Sequence, residues 1–78
     1  MTLGEFILHL KHKSISIRII GCKSCNLIYD GDVGGYLHWI YRSDFDKNLI
    51  YQIQFSNNGI MMIYLERWLR WLNLLILD

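Results

Sequence analysis

Leu3, Phe6, Ile7 and Leu10 recur at i, i+3, i+4 and i+7, the spacing of one apolar helix stripe. Thr2 and Glu5 have the T-x-x-E spacing of a capping box, and Met1 with Phe6 fits a hydrophobic staple. The pattern predicts a helix that opens at Thr2. Glu5, His9 and His12 fall on its other side. Lys11 and Lys13 sit near its C-terminus, where the helix dipole favours cations.

From Ser14 to Ile20 the period becomes two. Ile15, Ile17 and Ile19 alternate with Ser14, Ser16 and Arg18, which predicts a strand. Gly21 to Asn26 then reads as a turn, and Leu27-Ile28-Tyr29 as a short returning strand. Asp30-Gly31-Asp32 stops it, and Gly34-Gly35 continues the loop. Residues 36–45, YLHWIYRSDF, read as a helical turn leading into a loop.

Further on, Leu49, Tyr51, Ile53 and Phe55 share one face of a strand, and Ile50, Gln52 and Gln54 the other. Asn58-Gly59 predicts a two-residue type I′ hairpin turn. That turn sets Phe55 opposite Met62, Ile53 opposite Tyr64, Gln54 opposite Ile63 and Gln52 opposite Leu65. In this register one hairpin face is wholly apolar and belongs to the core. The other is half apolar and calls for a cover. The last segment, ERWLRWLNLLILD, offers one as a helix from about Glu66. Trp68, Leu69, Leu72, Leu75 and Ile76 form its stripe, with Trp71, Leu74 and Leu77 off it. A helix apolar nearly all round is buried on several sides or meets a partner.

These elements predict a single α+β domain over residues 1–78. Its small antiparallel sheet of three to four strands carries an N-terminal and a C-terminal helix. The chain has 78 residues, which limits it to one marginal core. Yet 53% of its residues are hydrophobic and only 19% charged. So small a body cannot hide all of that apolar surface, and the surplus points to an oligomer or a docking face. A net charge of +1 argues against a strongly basic nucleic-acid binder and against an acidic mimic of DNA. We expect no secretory signal, because no basic region precedes an apolar run. The apolar stretches fall short of a membrane span. Two cysteines without a signal suggest free thiols in a reducing compartment, so a cytoplasmic protein is expected.

Candidate chemistry is sparse. Cys22 and Cys25 in GCKSC supply two of the four ligands that zinc needs, and His9 and His12 offer two more. The histidines sit at the start of the first strand and the cysteines about 20 Å on, at its far end. A hairpin tip with reduced thiols is the better reading, and no metal or other cofactor is expected. A redox pair is also disfavoured, because such pairs sit at a helix N-terminus and a strand follows Cys25. DGDVGG, from Asp30 to Gly35, starts like a calcium loop, but the closing acid falls at Tyr41. His38 beside Trp39 lacks any recognisable nucleophile, so an enzyme is not expected. Tyr29, Tyr41, Tyr51, Phe55 and Tyr64 could stack on bases, but basic residues do not cluster around them and most read as core.

A short capped helix, a strand, an LIYDGD return, an aromatic loop and the hairpin IQFSNNGIMMIYL follow in order. This order resembles small accessory proteins of phages and prophages of low-GC Gram-positive bacteria. In those an N-terminal L-x-x-F/L-I helix precedes strands ending in IYxG. The resemblance spans roughly Thr2 to Leu65, rests on structural motifs and carries no functional residue with it. Anti-CRISPR proteins belong to the same pool, and many bind a host nuclease complex without catalysis. The resemblance therefore implies a phage-type inhibitor that occludes a host effector such as a Cas complex. Arg67, Trp68, Arg70 and Trp71 are the candidate partner residues, since Trp and Arg dominate interface energetics. The alternatives are that Trp68 and Trp71 seal the core or a homodimer, making this a homo-oligomeric structural protein, or that the sheet is a weak nucleic-acid-binding module.

Overall fold

A computed structural model describes residues 1–21 and 26–66. The expected C-terminal helix, with Arg67, Trp68, Arg70 and Trp71, lies outside the described residues, as do Cys22 and Cys25.

The chain is α+β. Helix α1 (Leu3–His9) opens on the capping box read from the sequence. The Glu5 N–H donates to Thr2 Oγ1 at 3.3 Å, and the Thr2 N–H donates back to Glu5 Oε1 at 2.9 Å. The Thr2 hydroxyl donates to the same carboxylate oxygen at 2.9 Å, and these two bonds from Thr2, the backbone one first, hold the Glu5 carboxyl below its ordinary pKa. The helix is shorter than its stripe suggested. It ends at His9, with Leu10 extended, so Lys11 and Lys13 lie beyond its last turn. The His9 ring turns back instead, and Nδ1 meets the Glu5 carbonyl at 2.7 Å.

Strands β1 (Ser16–Gly21), β2 (Asn26–Asp32), β3 (Ile50–Phe55) and β4 (Met61–Leu65) form one sheet in the order β2-β1-β4-β3. β1 pairs antiparallel with β2, and β3 with β4, as hairpins must. The central pair, β1 with β4, is parallel, so the sheet is mixed and not wholly antiparallel. Two short helices, α2 (Val33–Leu37) and α3 (Arg42–Phe45), carry the chain from the β2 edge to the β3 edge. That crossing starts β3 on the far side, and its hairpin then returns β4 to the middle alongside β1.

The parallel register puts Ile17 beside Met61, Ile19 beside Ile63 and Gly21 beside Leu65. On this face Ile17, Ile19, Ile63 and Leu65 are fully enclosed and Met61 is 7% exposed. Leu3 and Ile7 of α1, Val33 and Tyr36 of α2 and Phe45 of α3 join them in one core. Each buried aliphatic chain of this size contributes about 1.5–3 kcal/mol. The other face lines up Asp30, Arg18, Met62 and Gln54 in one row and Leu27, Ile20, Tyr64 and Gln52 in the next. Arg18 Nε lies 3.5 Å from Asp30 Oδ1 there, an ion pair without hydrogen-bond alignment.

The β3–β4 hairpin differs from expectation by one residue. Phe55 pairs with Met61, Ile53 with Ile63 and Gln52 with Tyr64. The loop is Asn57-Asn58-Gly59, closed by the Ser56 N–H on the Ile60 carbonyl at 2.9 Å. The Gly59 N–H reaches the Ser56 carbonyl at 3.1 Å, and Gly59 takes φ of 79°. A three-residue loop ending in a left-handed residue is the next commonest solution after the two-residue turn. A register slip exchanges the two faces of a strand. Met61, Ile63 and Leu65 therefore face the core, and Met62 and Tyr64 do not. A bulge at Tyr51 completes the change on β3. Ile50 and Ile53 pack against the core, whereas Leu49, Tyr51 and Phe55, expected inside, are exposed.

Candidate functional site: an aromatic groove beside the β2 edge

The stretch DGDVGG seats Tyr29, whose ring meets Trp39 of the site. It is not a loop that ends β2. Gly31 pairs with Ile17 and Asp32 with Ser16, so the strand runs through it. Asp32 then N-caps α2, accepting from the Gly35 N–H at 2.6 Å. The cap, with the burial of Val33 and Tyr36, outweighs the poor helix propensity of Gly34 and Gly35. The glycines serve close approach. A Cβ at Gly31 would lie 2.6 Å from the Tyr29 hydroxyl oxygen, and one at Gly35 would collide with the same atom. That hydroxyl donates to the Asp32 carbonyl at 2.8 Å. Desolvation, then the Asp32 and Asp30 charges, raises the Tyr29 pKa.

Tyr29 is held across β2 and starts a run of rings. Its centroid is 5.5 Å from Tyr36 and 5.4 Å from Trp39. Trp39 lies stacked on Phe45, 5.6 Å apart and 4° from parallel. Tyr41 meets Trp39 near a right angle, at 77° and 5.9 Å. Tyr36 anchors the group from below. It is fully buried, and its hydroxyl donates to Asp46 Oδ1 at 2.7 Å. Arg42 Nε donates to the other Asp46 oxygen at 3.0 Å, and Arg42 Nη1 to the Leu37 carbonyl at 3.2 Å. α2 and α3 are thereby fixed to each other. Burial, then the Asp46 carboxylate, pushes the Tyr36 phenol far above its ordinary value.

The result is an open groove of about 450 Å³ lined by Asn26, Leu27, Ile28, Trp39, Tyr41, Asp44 and Phe45. Beside it Ile40 is 80% exposed, and on its rim Leu27 is 56% and Tyr41 55% exposed. The lining holds one carboxylate, Asp44, and no Lys, Arg or His. No group of three or more His, Cys, Asp or Glu among the described residues is placed to hold a metal ion. No described helix is long and apolar enough to cross a membrane.

Of the tyrosines and the phenylalanine considered as base-stacking positions, the structure brings Tyr41 into this groove and packs Tyr29 against its Trp39. Tyr51 and Phe55 stand at the β3 edge, and Tyr64 on the second sheet face. Sequence reasoning missed the groove. Its signal is the spacing W-x-Y-x-x-D-F from Trp39 to Phe45, which only the α2–α3 fold turns into a cluster. No family model matches the chain, and neither the curated proteins nor the solved structures hold a match to it.

Proposed function

We propose that this is a binding protein without catalysis, which docks on a protein partner through the groove and the apolar side chains around it. The observation that supports it is the exposure of Leu27 and Tyr41 in the groove lining beside a half-buried tryptophan, with exposed Ile40 between Trp39 and Tyr41 in the chain. Apolar side chains left outside a small core, grouped around Trp and Tyr anchors, are the composition of interface hot spots. The resemblance to phage accessory proteins names the class of partner: a host defence effector, with an anti-CRISPR that sterically occludes a Cas nuclease complex as the specific form. Arg67, Trp68, Arg70 and Trp71 remain in this proposal on sequence grounds.

The test adds the purified chain to a purified Cas effector complex and its target DNA. The reading requires a complex that survives gel filtration and loss of target cleavage. Normal cleavage, with the chain eluting alone, would remove its basis.

A second reading, a homo-oligomer, is favoured by the β3 edge. β3 is an outer strand, and Ile50–Phe55 carries no charge and no proline, the usual guards of an edge. Among the described residues its outer side meets only the Thr2–Leu49 bridge and the Ile50 N–H bond to the Met1 carbonyl at 3.1 Å. Light scattering that gives a dimer mass, lost on Tyr51→Lys, would select this reading.

A further inference from the structure

We infer that the groove receives an arginine side chain of the protein partner, its guanidinium lying on the exposed Tyr41 ring beside Trp39 and pairing with the Asp44 carboxylate. This rests on the docking reading and specifies its chemistry. Tyr41 meets Trp39 edge to face, and its 55% exposed ring offers a cation an open π face beside the half-buried indole. The Asp44 carboxylate lines the same groove and is free to pair with it. The ion pairs among the described residues join Arg18 to Asp30 and Arg42 to Asp46, and neither uses Asp44.

Charge complementarity separates this occupant from the others. A wholly apolar side chain entering the groove would strip water from Asp44 and give nothing back. A nucleotide would stack well on the rings, but it brings phosphates to a groove with a carboxylate and no basic residue. A lysine satisfies the charge. However, its ammonium is compact, strongly hydrated and has no flat face for stacking, whereas a guanidinium is planar, weakly hydrated and forked to match a carboxylate.

The experiment uses the full ¹⁵N-labelled chain and three short peptide amides of the form Gly-Gly-X-Gly-Gly, with X arginine, lysine or citrulline. Citrulline keeps the shape of arginine and removes its charge. A thymidine oligonucleotide is the fourth probe. The readouts are the Trp39 indole N–H and the Tyr41 and Asp44 backbone amides. The arginine peptide is expected to shift all three saturably and to bind more tightly than either other peptide. Asp44→Asn and Tyr41→Ala should each weaken it about two- to fivefold. Both side chains are exposed and outside the core, so both variants keep the fold. Equal binding of the citrulline peptide, an unchanged affinity in Asp44→Asn, no shift at the groove, or shifts caused by the oligonucleotide instead would each overturn the inference. The docking reading is tested separately by Ile40→Asp, which lies outside the groove lining. Loss of the effector complex in that variant would keep docking even if the arginine site fails.

Discussion

Tyr36 shows how one hydroxyl holds the site together. It is buried, and its bond to Asp46 ties α2 to the end of α3, which carries the Phe45 ring that stacks on Trp39. Tyr36→Phe should fold and lose about 1–2 kcal/mol, measured by urea denaturation at pH 7. The same phenol gives the protein an alkaline limit. Its folded pKa is raised above an unfolded value of about 10, so its contribution is complete below pH 10 and declines as pH rises beyond that. The denaturation midpoint should hold up to about pH 10 and fall above it, and Tyr36→Phe should remove the larger part of that slope. A wild-type midpoint that stays flat would refute this assignment. Gly31 is the complementary case, where a missing atom matters. Gly31→Ala would press on the Tyr29 ring, which touches Trp39, and should cost about 1–3 kcal/mol while shifting the Trp39 indole resonance. The sequence shows a Gly-Asp stretch here but not its purpose. A cap, a strand end and a tyrosine seat use the same residue types as a loop.

At the scale of elements, legibility follows periodicity and local chemistry. The α1 cap and the alternation of β1 depend on neighbours a few residues apart; the cap is present as read, and the alternation holds over Ser16–Ile19, although the strand starts at Ser16 and not Ser14 and runs on through Gly21. β4 is different. MMIYL is apolar at every position, as expected of a central strand with neighbours on both sides, and such a run does not reveal which side chains face inward. The answer came from loop length, which Asn57-Asn58-Gly59 leaves open between a two- and a three-residue turn. Gly59→Ala tests the choice. With φ of 79°, the substitution should destabilise by about 1–2 kcal/mol without altering the pairing of Ile53 with Ile63. Cross-strand nuclear Overhauser contacts between Phe55 and Met62 backbones as direct partners would instead indicate the tighter turn. The parallel β1–β4 pair was equally hidden, because direction depends on the crossing by α2 and α3 and not on any residue within either strand.

For the whole molecule, the excess of apolar residues over so small an interior was legible from composition, and its location was not. The described core uses one face of a four-stranded sheet and three short helices. Leu8, Leu27, Ile40, Tyr41, Tyr51 and Phe55 are left more than half exposed. They fall in separate regions, and the groove around Trp39 adds a concave surface with a charge of its own. That difference is why docking is assigned to the groove and self-association to the β3 edge. The most direct test is the Kd of a purified Cas effector complex for the wild-type chain and for the Ile40→Asp/Tyr41→Ala double variant, each shown to be folded by near-ultraviolet circular dichroism. The account predicts measurable wild-type binding and a loss of about tenfold or more in the variant. Equal constants for the two chains, or no binding by either, would contradict it.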